Sequence, residues 1–377
     1  MVGNNRGKGR ATLHPDRLPC SLDGGFLHGA YNLCQKFTFS DNATLIRERT
    51  SIPVPTIYSW GVAADNPLGL GAFILMSFIK GTSINRLLRD SEAAVDTRLM
   101  REDISDRDVE SLFRQMADFQ LQLFELDFDR IGSLPTPNTG FSVQIRPLTW
   151  KVHDIIQTGG VNTFSDRTRG FSTTTDYFQY VVGQDCEQLI RQPNSVAGPC
   201  DAERKYTSFQ ILASLVPEYI NERYDRGPYE LVCDDFGLAN LIVKSDDDLT
   251  VVGVVDLEWS YVGLAQLSAS VPWWLLQDRP INPEWDCDDH QPPDVAVRYF
   301  RYLEIYKRVL EEEEAKRPGH EKKEMFNLVR WSEDFGSNHV GIDKWKKRRW
   351  AFDPEEVGAF VAEKTSQLEG YDAELIG

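Results

Sequence analysis

Residues 231–259 read LVCDDFGLANLIVKSDDDLTVVGVVDLEW, and the rest of the chain is organised around them. Asp235 and Asn240 stand five positions apart on a loop. Leu241 to Val243 and Val251 to Val255 are β-branched runs joined by Ser245 to Asp248, the pattern of a hairpin, and Asp256 follows the second run. A carboxylate that can orient and deprotonate a hydroxyl, an amide oxygen and a second carboxylate able to hold Mg²⁺ form the set that phosphoryl transfer requires. The three adjacent aspartates at 246–248 read as a solvated turn.

The chain has 377 residues, 41% of them hydrophobic, enough for one large or two moderate domains with a sizeable core. Lys and Arg number 41 against 58 Asp and Glu, a formal charge of −17. That sign disfavours nucleic acid and anionic membrane as partners, and leaves a small molecule or a protein. Six widely spaced cysteines without a CxxC pair suit reduced thiols and a cytoplasmic setting. The basic, polar first 20 residues lack an apolar core of the secretory kind, and no run of about 18 apolar residues marks a membrane span.

Working outward from the opening stretch, residues 1–20 read as disordered and order is expected from about Ser21. Gly24, Gly25 and Gly29 make a glycine-rich turn ahead of a strand at 31–39, a form that brings backbone N–H groups close to phosphate. The apolar run Ala72 to Ile79 reads as a buried strand, ended by Lys80-Gly81. Asp106 to Leu126 carries Val109, Leu112, Phe113, Met116, Phe119 and Leu123 at 3–4 spacing, an amphipathic helix. Residues 131–175, rich in Gly, Ser, Thr and Asn, read as surface loops and short hairpins. Further helices are expected at 176–191, 202–223, 296–315, 322–331 and 354–368.

This order predicts an α+β protein of two lobes: a small β-rich N-lobe over 21–79 and a large, mainly helical C-lobe over 80–377 that carries the reactive hairpin. In order, SIPVPTIYSW at 51–60, FILMSFIKG at 73–81, DRIGSL at 129–134, CDDFGLAN at 233–240 and VVGVVDLEWSY at 251–261 resemble the aminoglycoside phosphotransferase-like family of the protein-kinase-like fold, in its fungal branch. The resemblance spans about 24–274. It implies an ATP- and Mg²⁺-dependent kinase that phosphorylates a hydroxyl of a small molecule, with Asp235 as catalytic base and Asn240 and Asp256 as metal ligands. Adenine would lie against the backbone of Met76, Ser77, Phe78 and Ile79, with Gly24, Gly25 and Gly29 lining the phosphates. Counting back from Asn240 selects Asp235 over Asp234. Cys233 stands where the family has His, and Leu257 where it has Trp. An acidic chain suits a cationic acceptor.

The same resemblance exposes a departure. Only residues 40–49 separate the strand ending at Phe39 from the segment RERTSIPVP, too few for the third strand, with its phosphate-binding Lys or Arg, and the helix that should follow. Lys36, Arg47 and Glu48 do not fill those roles. Two readings stay open: an enzyme whose N-lobe segment is missing from this chain, and a pseudokinase that binds a nucleotide or a partner without chemistry.

Overall fold

The computed structural model describes residues 20–28, 33–39, 50–61, 63–66, 73–92, 98–133, 145–163, 168–257, 259–278, 294–319, 324–337 and 352–376. The chain divides into two units, residues 1–104 with 238–255, and residues 105–237 with 256–377. The first is small and strand-rich, the second larger and mainly helical, so the mixed α and β content expected from sequence is present. The division falls at 104 rather than 79, and the hairpin of residues 238–255 belongs to the smaller unit.

Backbone hydrogen bonding explains that assignment. In the smaller unit, β1 (Cys20–His28) pairs antiparallel with β2 (Leu33–Phe39), and β3 (Ile57–Gly61) with β4 (Phe73–Met76). The short β5 (Thr82–Ser83), which leads into the single-turn helix α1 (Ile84–Leu88), pairs with β7 (Leu241–Ser245), and β7 pairs with β8 (Asp248–Val254). The Val254 N–H also donates to the Pro53 carbonyl at 2.7 Å. The hairpin is therefore bonded to segments far upstream in sequence. Gly253 permits close packing: a Cβ there would lie 2.6 Å from Cδ1 of Ile79.

The run at 72–79 differs from the buried strand expected. Only Phe73–Met76 is strand; among the described residues it pairs with β3, and its exposure alternates, leaving Ile74 61% and Met76 45% exposed. Phe78, beyond its end, is 53% exposed. An apolar composition had suggested two covered faces, whereas the alternating exposure along β4 leaves one face open.

The larger unit is built around α2 (Asp106–Phe124), whose Ser105 hydroxyl accepts from the Asp108 N–H as an N-cap. Its apolar stripe meets α7 (Asp294–Ala315): Phe113 lies edge-on to Trp274, Tyr302 and Tyr306 at 5.6, 6.0 and 6.3 Å between centroids. Flanking charges zip the same pair. Arg114 binds Glu312 at 2.7 Å, Arg308 binds Glu110 at 2.6 Å and Arg317 binds Glu125 at 2.6 Å.

Two more helices are α4 (Thr174–Arg191), close to the expected span, and α5 (Pro199–Leu215), which gives way to 3₁₀ turns before the expected end at 223; the four-residue α6 (Ala265–Ser268) follows later in the chain. Residues 131–175 are not all loop: α3 (Trp150–Gly159) forms there, capped by the Thr149 hydroxyl. α8 (Glu324–Ser337) and α9 (Pro354–Ile376) complete the helices; Glu314 accepts from the first-turn N–H groups of Met325 and Phe326 in α8. On α9, buried Lys364 donates to the Gln192 carbonyl at 2.6 Å, at the C-terminal end of α4.

Candidate functional site

The site region of the larger unit rests on two strands that the sequence separates by 26 residues. β6 (Tyr229–Cys233) and β9 (Ser260–Leu264) run antiparallel from Tyr229 opposite Leu264 to Cys233 opposite Ser260. Residues 128–132 flank both: the Phe128 N–H donates to Tyr229 and the Gly132 N–H to Val262. Val262 and Leu264 are fully buried, as is Ile131, in a cluster with Phe171, Tyr177 and Tyr261. Both faces of β9 are buried, Tyr261 on one and Val262 and Leu264 on the other, so the ladder lies inside the core.

The ladder places two loop starts side by side within this unit. The chain leaves β6 at Cys233 and turns through Asp234 and Asp235; it enters β9 at Ser260 after the loop that begins with Asp256. The Asp234 N–H donates to the Trp259 carbonyl at 3.3 Å, the Ser260 hydroxyl to Cys233 Sγ at 3.0 Å, and the Tyr261 hydroxyl to Asp234 Oδ1 at 3.2 Å. Asp235 is half-buried at the middle of this turn. Asp256 is exposed and adopts a left-handed backbone (φ 63°), a strained state for a residue other than glycine and one that collects at functional sites.

A cavity of about 210 Å³ adjoins the turn. Cys233, Asp234 and Phe236 line one part, Trp273, Trp274 and Gln120 another. Gly237 allows this closeness, since a Cβ there would meet the Trp273 ring at 2.9 Å. The cavity thus presents one carboxylate among aromatic walls. Burial pushes the Cys233 thiol up to about 11, against the lowering effect of the Ser260 hydrogen bond, so it stays a neutral thiol where the resemblance has an imidazole.

In the smaller unit, Asn240 closes a 3₁₀ turn (Leu238–Asn240) and is 8% exposed. Its carbonyl accepts from the N–H of Val255, the residue before Asp256, at 3.0 Å. Gly24 and Gly25 lie inside β1 rather than in a turn, within the irregular pairing between Leu22 and Phe26, and Gly29 lies outside the described residues. In the 76–79 segment, the Ser77 N–H is committed to the Thr56 carbonyl at 2.8 Å and the Ser77 hydroxyl accepts from the Thr56 N–H.

One amide and one carboxylate, completed by phosphate oxygens and water, is a donor set that suits Mg²⁺, which favours few protein ligands. Among the described residues no three His, Cys, Asp or Glu side chains gather as a metal cluster. The residues sequence reasoning missed are Tyr261, Tyr177 and Glu230. Glu230, on β6, is 1% exposed, its Oε2 has no hydrogen-bond partner, and burial pushes its carboxyl up to about 9. Nothing local marks these positions, because their burial comes from the pairing of β6 with β9 and, for Tyr177, from the packing of α4 against that ladder.

No family model matches the chain. It is similar to clavilactone A biosynthesis cluster protein Y of Ampulloclitocybe clavipes, 25% identical over 245 residues, which are 64% of this chain and 53% of that protein. It is also similar to the altered inheritance of mitochondria protein 9 of Komagataella phaffii, 30% identical over 31% of this chain and 17% of that protein. The chain thus spans about half the length of the first relative and far less of the second. Among solved structures, an ADP-bound aminoglycoside phosphotransferase APH(2'')-Ib matches 84% of this chain and 76% of its own at 14% identity, with a TM-score of 0.35. An aminoglycoside-3'-phosphotransferase of type VIII matches 70% and 74% at 14% identity, with a TM-score of 0.30. At such scores these likenesses carry no weight for the fold of this chain.

Proposed function

We propose that the chain is a phosphotransferase of the protein-kinase-like fold that moves the terminal phosphate of ATP to a hydroxyl of a small molecule, in the manner of aminoglycoside and choline kinases. The observation that carries this reading is the β6–β9 ladder, which holds the Asp235 turn against the loop that starts at Asp256 through the Asp234 to Trp259 backbone bond. Asp235 orients the acceptor hydroxyl and takes its proton as the oxygen attacks phosphorus. Asn240 and Asp256 hold Mg²⁺, which when bound neutralises charge on the phosphate oxygens. Gly24, Gly25 and Gly29 approach the phosphates with their backbones, and the segment Met76, Ser77, Phe78 and Ile79 faces the adenine. The cavity beside the turn receives the apolar part of the acceptor, and its Asp234 carboxylate and indole walls suit a cationic group. The setting is cytoplasmic; among the described residues no helix is long and apolar enough to cross a membrane.

A pseudokinase reading is favoured by one specific observation. Residues 50–56 are extended without regular structure, which leaves residues 40–49, outside the described set, as the whole interval for a third strand and helix. Thermal unfolding with Mg-ATP separates the two. A nucleotide at 100 times its dissociation constant adds about 2.7 kcal/mol to stability. A stabilisation of that order, with a new phosphate-ester ³¹P signal when hydroxyl acceptors are supplied, is expected of the enzyme. Stabilisation without transfer identifies a nucleotide-binding pseudokinase, and neither effect removes both nucleotide readings.

A further inference from the structure

Two buried phenols in the larger unit, which the proposed reaction does not use, form a polar chain that ends on Asp234, the carboxylate beside the acceptor cavity. The Tyr177 hydroxyl donates to the Tyr261 hydroxyl at 3.2 Å, and the Tyr261 hydroxyl donates to Asp234 Oδ1 at 3.2 Å. Tyr177 is 3% and Tyr261 2% exposed, inside the apolar cluster of Ile131, Phe171 and Val262. A buried hydroxyl is costly unless it is hydrogen-bonded, so each needs its partner. The order of donors is fixed by chemistry. A carboxylate only accepts and each phenol has one proton, so the chain runs from Tyr177 through Tyr261 and ends at Asp234. Burial also pushes both phenols well above their usual range, which keeps them protonated donors at any working pH.

We propose that Tyr261, backed by Tyr177, is a positioning residue that holds the Asp234 carboxylate and so sets the turn from which Asp235 is presented. The inference rests on the phosphotransferase reading, because a turn needs this control only if Asp235 does chemistry. Three restraints meet on residues 233–234: the Asp234 N–H to the Trp259 carbonyl, the Ser260 hydroxyl to Cys233 Sγ, and the Tyr261 hydroxyl to Asp234. The first two fix the strand end. Of the three, the Tyr261 bond is the one made to the Asp234 side chain, and a misplacement of about 1 Å at a reacting group can cost about 100-fold in rate.

The test is steady-state phosphate transfer by the full chain as wild type, Tyr261→Phe, Asp234→Ala and the double variant, with amide exchange of residues 233–237 followed in the same proteins. Tyr261→Phe is expected to lower kcat about 10–100-fold, as loss of an orienting outer partner does at metal sites, while KM for ATP stays within about twofold. Because Tyr261 acts through Asp234, the double variant should be no slower than Asp234→Ala alone, and exchange at 233–237 should rise while that of α2 is unchanged. Unaltered kcat, or effects that multiply in the double variant, would overturn the positioning role and leave the phosphotransferase reading standing. If the wild type transfers no phosphate, the phosphotransferase reading fails, and the exchange data decide alone whether Tyr261 holds the turn: unchanged exchange sinks the proposal.

Discussion

Two aspartate-rich turns in this chain share side-chain chemistry and differ in almost everything else. Asp246 to Asp248, from the turn after β7 to the first residue of β8, faces water: Asp246 accepts from the Thr82 hydroxyl at 2.8 Å with its side chain 61% exposed, and Asp248 pairs with Lys244 at 2.8 Å. Asp234 and Asp235, after β6, are half-buried, and Asp234 accepts from a buried phenol and lines a cavity. Exposed ion pairs contribute little, since solvent screens them and ordering long side chains opposes them. A carboxylate held from behind by buried donors has a fixed direction. Adjacent acids in sequence therefore say little until the surroundings are known: the first turn is solvated, and the second is the one proposed to carry the chemistry.

The contrast breaks most visibly if the frame beneath the buried turn is emptied. Leu264→Ala, at a fully buried position opposite Tyr229, is expected to cost about 2–5 kcal/mol in denaturant unfolding, the range for such cavities. A loss below about 1 kcal/mol would mean that the β6–β9 ladder is not the support described.

Glu230 sharpens it next. Its folded-state value is raised to about 9 from an ordinary 4.5, so the folded chain holds a proton that the unfolded chain releases. Stability from the neutral carboxyl is present below about 4.5 and is lost as pH rises toward 9. Glu230→Gln should flatten that slope and gain about 1 kcal/mol or more at pH 8, given about 1.36 kcal/mol per pKa unit. An unchanged stability profile between pH 5 and 9 would show that Glu230 is not buried as a neutral acid.

The smallest effect belongs to the exposed turn. Lys244 holds the Asp248 carboxyl down at about 2 through a hydrogen bond. A depressed value stabilises above the ordinary 3.8 and is lost as pH falls toward 2, outside the working range. Asp248→Asn should leave the melting temperature at pH 7 unchanged within error. A marked drop would give the solvated turn a role that its exposure denies.

The legible part of the fold was the part governed by local pattern. β7 and β8 announce themselves through β-branched runs around an acidic turn, and α2 through apolar residues at 3–4 spacing beside a serine cap. The illegible part depends on what packs against what. Ile74, Met76 and Phe78 look like a covered strand until the exposure along the segment is seen to alternate. α3 hides in a polar segment because its start is marked by Thr149 alone among many turn-forming residues. The same holds for the proposed site residues: Asp235, Asn240 and Asp256 are proposed from spacing, whereas Tyr261 and Glu230 acquire their properties only when β9 pairs with β6, across more than 25 residues of chain.

The central claim is that, of two neighbouring carboxylates, Asp235 does the chemistry and Asp234 shapes the turn. It is tested most directly by comparing kcat for phosphate transfer from ATP in Asp235→Asn and Asp234→Asn. The first should lose about 10²–10⁴-fold, the usual contribution of a general base. The second keeps an oxygen to accept the Tyr261 hydroxyl, and should retain activity within about tenfold of wild type. A variant lacking the Asp235 carboxylate that still turns over at the wild-type rate, with Asp234→Asn inactive, would contradict the account.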